Sequence, residues 1–202
     1  MACPVNLESY LTPMANPRTV FEPGNGTLEI FDLEPSESLL YELLKDLFDN
    51  HWEEFLFGIL IQGAAWEIKA PNRPESVTLY DGYLTIDFGA WHFHLCIGEN
   101  KGSKSHPTDP QLRAHRRTSR AELYRQLNQQ GTPNSWGLRL YNGKDEQQLT
   151  VFLPNPFLTP EMGIAKQPDW SRLALWDHLR QRWLGLADPD PFDRSGRGFQ
   201  HG

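Results

Sequence analysis

The sequence predicts an α+β fold, an antiparallel β-sheet of roughly five to seven strands with helices packed on one face. Three observations carry that expectation. Short apolar or alternating runs are joined by tight-turn dipeptides, Asp81-Gly82 and Asn142-Gly143. Two other stretches repeat large apolar residues at helical spacing, one beginning at Pro35 and one within "DWSRLALWDHLRQRWLGL". The 202 residues are 39% hydrophobic against 22% charged, with 7 Trp and 11 Phe, enough apolar bulk for one well-buried core.

In chain order, residues 1–26 contain four prolines and end in "EPGNG", which reads as an arm lying over the surface. A single domain is expected over 27–186. Its first strand is "TLEIFDL". Leu39, Leu40, Leu43, Leu44, Leu47 and Phe48 then form the stripe of a helix whose apolar face extends to Trp52. "EFLFGILIQGAAWEIKA" is interrupted by Gly58 and Gly63 and reads as one or two strands, with Gln62, Ala64, Trp66 and Ile68 on one face. "VTLY", "YLTIDFG" and "WHFHLCIG" form an antiparallel meander. "QLRAHRR" is a short helical turn. "TSRAELYRQLNQQ" is expected as a helix, because Ser119 and Glu122 have capping-box spacing and Leu123, Tyr124 and Leu127 share a side. "SWGLRLYNGKDEQQLTVFLPNP" is a hairpin with Trp136, Leu138 and Leu140 inward. The last helix carries Trp170, Leu173, Trp176, Leu179 and Trp183, and residues 187–202 have the composition of a tail.

Composition also excludes. A formal net charge of −7 repels a phosphate backbone, so nucleic acid is not an expected partner. No apolar run reaches the roughly 20 residues of a membrane span, and the opening residues lack the basic-then-apolar pattern of a signal peptide. Cys3 and Cys96 are the two cysteines, which fits reduced thiols and a cytoplasmic location rather than a disulfide framework. Walker, G-x-G-x-x-G, G-x-S-x-G and C-x-x-C patterns are absent.

The candidate site is "WHFHLC". Alternation on a strand puts His92, His94 and Cys96 on one face and Trp91, Phe93 and Leu95 on the other. Imidazole and thiolate donors at that spacing suit a divalent metal, zinc or iron. Glu67, Asp87, His51 and Glu99 are possible further ligands. Heme or another tetrapyrrole on one axial histidine is an alternative use of the same residues, and needs an apolar pocket. A half-buried, merely structural polar strand is the competing reading.

Residues 101–125 carry seven Lys and Arg against two acids in an otherwise acidic chain. Arg113, Arg116, Arg117 and Arg120 are therefore candidates for binding an anionic small molecule, since guanidinium forks match carboxylate and phosphate. Ion pairing within the chain accounts for them equally.

Over "DGYLTIDFGAWHFHLCIGENKG", "SWGLRLYNGKDEQQLTVFLPNPF" and "KQPDWSRLALW", the chain resembles an uncharacterised family found chiefly in cyanobacteria and some other bacteria. The resemblance spans about residues 35 to 185 and implies a cytoplasmic bacterial protein with no assigned activity, so it transfers no site residue. The sequence thus predicts a metal-binding protein, with a metal-dependent reaction on an anionic small molecule as its activity if it is an enzyme; the alternative is a non-catalytic binding or assembly factor that engages a protein partner or a tetrapyrrole.

Overall fold

The computed structural model describes residues 17–61, 63–186 and 189–199. Among them the chain runs β1 (Arg18–Glu22), β2 (Gly26–Leu33), α1 (Glu37–Asn50), β3 (Leu56–Gly58), β4 (Leu60–Ile61), β5 (Ala64–Ala65), β6 (Ile68–Lys69), β7 (Ser76–Tyr80), β8 (Tyr83–Asp87) and β9 (His92–Cys96). It continues through α2 (Pro110–Arg116), β10 (Thr118–Leu127), β11 (Pro133–Asn142), β12 (Gln147–Phe152) and α3 (Ala174–Leu184), with 3-10 turns at Trp170–Leu173 and Pro191–Arg194. Seven antiparallel strands form the main sheet in the order β1-β2-β10-β11-β12-β3-β6. β7-β8-β9 form a separate meander, and β4-β5 a small hairpin. This is the α+β architecture that the sequence predicts.

One core joins these parts. The inner face of the main sheet supplies Phe31, Leu123, Leu138, Val151 and Phe57, the meander supplies Leu84, Ile86 and Leu95, and the two long helices cover them. In α1, Ser36 caps the first turn by accepting from the Leu39 amide, and Leu40, Leu43, Leu44 and Leu47 are wholly buried. The β7–β8 turn needs two left-handed residues, met by Asp81 (φ 47°) and Gly82 (φ 79°). A side chain at Gly82 is also barred by space, since a Cβ would lie 2.6 Å from the Glu99 carbonyl carbon. Asp81 then ties down the following loop by accepting from the amides of Lys101 and Gly102 and from Asn100.

The segment expected as a helix at 118–130 is instead β10, an interior strand of the main sheet, paired with β2 on one side and β11 on the other. Both its faces are covered: Ala121 and Leu123 point into the core, while Glu122 and Tyr124 are buried on the outer face. A strand buried on both faces loses its simple alternation, and Leu123, Tyr124 and Leu127 then imitate helical spacing. Ser119 caps nothing; its hydroxyl donates to the Asn142 carbonyl. Glu122 binds Arg139 at 2.7 Å and also contacts Arg18 and Arg120.

Three smaller expectations also change. Part of the predicted N-terminal arm is strand β1, and Arg139 holds Glu22 of that strand through two hydrogen bonds. The stretch at 56–69 breaks into four short strands rather than one or two. Part of the predicted C-terminal tail docks: Asp193 is fully buried and accepts from the indoles of Trp136 and Trp176 and from Arg125. Cys3, Gln62 and the remainder of both terminal segments lie outside the described residues. No helix among the described residues is long and apolar enough to cross a membrane.

Candidate functional site

Strand β9 ends the meander and β6 ends the main sheet, so two sheet edges are left unpaired by neighbouring strands. Between them lies a cleft of about 280 Å³, lined by Phe57, Gly58, Ile59, Trp66, Ile68, Trp91, Phe93, His94, Leu95, Gln148 and Leu149. Its floor is aromatic. The Phe57 ring sits 5.5 Å from Phe93 and 6.2 Å from Trp91, with Trp91 and Phe93 near-parallel at 6.4 Å. Phe57 is buried in the core, while Trp91 and Phe93 pack against the core on one side and stay only half-buried on the other.

The wall is the β4–β5 hairpin and its flanks. The Trp66 amide donates to the Ile59 carbonyl at 3.0 Å, and the backbones approach so closely that a Cβ on Gly58 would lie 1.9 Å from the Trp66 carbonyl oxygen. That contact projects four large apolar side chains outward: Ile59, Ile61, Trp66 and Ile68 are between 38% and 54% exposed. Apolar residues clustered in ten positions and left in water mark a binding surface more often than a packing accident. The closed end is polar but satisfied. Gln148 donates to the Arg116 carbonyl and accepts from Thr118.

The three predicted metal ligands part company. His92 and His94 are exposed, with ring centroids 5.0 Å apart, and Thr85 holds Nδ1 of His94 at 2.8 Å. Cys96 is buried, its thiol donating to the Gly98 carbonyl. Burial pushes that thiol up, against the pull of Arg116, so the reactive thiolate is disfavoured. Among the described residues, the one set of three metal-ligating side chains with converging donor atoms is elsewhere, and His92, His94 and Cys96 do not form such a set.

The arginines are likewise dispersed. Arg113 donates to the Thr108 carbonyl and Arg116 to the Asn100 side chain. Arg120 pairs with Asp145 and Glu122 and lies over the Tyr141 ring, 3.6 Å from its centroid. Arg117 alone of the four borders a large cleft, about 680 Å³, where Lys101 joins it but Glu34, Glu37, Asp81 and Glu99 outnumber both. An anion there meets more carboxylates than cations.

The sequence pattern sets Trp91 and Phe93 opposite His92 and His94, and Trp66 with Ile68 on one face of its own stretch, but it does not mark Ile59, Ile61 and Trp66 as a binding surface. Their signal is a run apolar on both alternating faces, "FGILIQGAAWEI", in a segment that Gly58 and Gly63 interrupt.

The family model described as a family of unknown function, DUF7676, matches residues 17–185. The chain belongs to this family. No curated protein matches it. Among solved structures the chain is similar to the crystal structure of ChuX, at 9% identity and a TM-score of 0.41, covering 75% of this chain and 74% of that one.

Proposed function

We propose that this DUF7676 member binds a flat, largely apolar small molecule of the tetrapyrrole class in the cleft between β6 and β9. The observation that carries the reading is the half-exposed aromatic floor of Trp91 and Phe93 facing the exposed Trp66–Ile68 wall. Stacked rings with one flank in water offer a flat ligand its matching surface. At about 280 Å³ the cleft sits at the low end of small-molecule sites, so it takes one edge of a macrocycle and leaves the rest against the hairpin. His94 borders the cleft, and with Nδ1 held by Thr85 its Nε2 is the nitrogen available to an iron centre.

Titration with hemin and, separately, with metal-free protoporphyrin tests the reading. Both are expected to bind with one-to-one stoichiometry and to quench tryptophan fluorescence. His94→Ala should change the hemin absorption spectrum while leaving the metal-free porphyrin affinity as it was. Failure of both compounds to bind would end the proposal.

A further inference from the structure

A second cluster lies away from the cleft, where the end of α1 meets α3. Asp46 is buried in the last turns of α1, His51 closes that helix, and His178 projects from α3. One donor atom from each lies within 4.8 Å of the other two. His178 Nε2 meets Asp46 Oδ2 at 2.8 Å, and the two imidazole rings are 4.8 Å apart. We infer that Asp46, His51 and His178 form a binding site for a divalent transition-metal ion of the zinc type.

The donor set argues for that class. Two neutral imidazoles and one carboxylate, without thiolate, suit zinc or iron(II) better than calcium or magnesium, which take oxygen-rich shells. Tetrahedral zinc at about 2.0–2.1 Å per bond holds its ligands roughly 3.3 Å apart. The three side chains therefore need only close by about an ångström and a half, which rotation of the two partly exposed histidines supplies.

The surroundings fit an orienting shell. Glu54 contacts Nδ1 of His51 at 2.7 Å, leaving Nε2 to face the ion, the carboxylate–histidine pairing that supports metal-bound imidazoles. Asn50 donates to Asp46 Oδ1 at 2.9 Å and so steers Oδ2 toward His178. Arg182 faces the same oxygen at 3.5 Å. It is 40% exposed, so it can swing outward when a cation takes its place. A plain ion pair between α1 and α3 explains the Asp46–His178 bond but not His51, whose ring is oriented by a second carboxylate.

The test uses the full untagged chain, stripped with chelator and titrated with Zn²⁺ by calorimetry, with Co²⁺ as the spectroscopic probe. One equivalent of zinc is expected to bind, with tetrahedral cobalt bands in the visible region. His51→Ala, at a partly exposed helix end, and His178→Gln, which keeps a hydrogen bond to Asp46, should each abolish stoichiometric uptake. Glu54→Gln should weaken it about tenfold, and His92→Ala/His94→Ala should leave it intact. No uptake by the wild-type chain would overturn the inference. So would uptake that survives His51→Ala and His178→Gln but is lost in His92→Ala/His94→Ala.

Discussion

Two aromatic regions of this molecule answer the same chemical problem in opposite ways. Around Asp193, the indoles of Trp136 and Trp176 are fully buried and both N–H groups donate to one carboxylate, which Arg125 also binds. Around the cleft, Trp66, Trp91 and Phe93 remain partly in water. The first region is closed on itself, so its rings and charges contribute stability. The second is left open by a backbone held in place through Gly58, so its apolar surface is available to something else.

The sharpest way to break that contrast is Asp193→Ala. It strands two buried indole donors and removes one of the carboxylates around Arg125, and a loss of about 3–5 kcal/mol is expected, measured by denaturant unfolding. A loss under about 1 kcal/mol would make the Asp193 cluster ornamental.

Acid should act on the same closed regions next. Burial is the largest single influence on the Glu22 and Asp190 carboxyls and pushes them up, but the hydrogen bonds and positive charge around them together, Arg139 with Asn25 for Glu22 and Arg125 with the Phe192 amide for Asp190, leave both lowered. A carboxyl lowered in the folded state stabilises it above the ordinary carboxylate range, and that contribution is lost as pH falls through the lowered native value. The melting temperature is therefore expected to hold above about pH 5 and to fall from the ordinary carboxylate range near pH 4 downward, through the lowered native values. A flat profile would show that these pairs add nothing.

The smallest stability effect belongs to the open region. Trp66→Ala removes a half-exposed ring, so stability should change by no more than about 0.5 kcal/mol. Porphyrin affinity should drop about tenfold, equivalent to roughly 1.4 kcal/mol of lost stacking. Equal losses of stability and binding would mean that Trp66 is core rather than contact surface.

Much of the fold is legible because period and turn chemistry are local. The leucines of α1, the Asp81-Gly82 turn and the Trp-rich stripe of α3 each declare themselves within a dozen residues. β10 does not, because its buried outer face is ionic: Glu122 reads as polar surface until Arg139 and Arg18, from other strands, join its near neighbour Arg120 around it. The candidate site was legible in part. Trp91, Phe93 and His94 belong to one short stretch at β9, whereas Phe57, Trp66 and Leu149 come from distant segments and meet them only through the way the sheets are ordered. His51 was visible as a potential ligand at a helix end; its convergence with His178 depends on how α1 and α3 pack, which spacing along the chain does not encode.

Amide chemical-shift mapping on adding metal-free protoporphyrin tests the central claim most directly. The account predicts shifts confined to residues 57–61, 64–68, 91–95 and 148–149. Shifts centred on the wider cleft beside Arg117 and Lys101, or none at all, would contradict it.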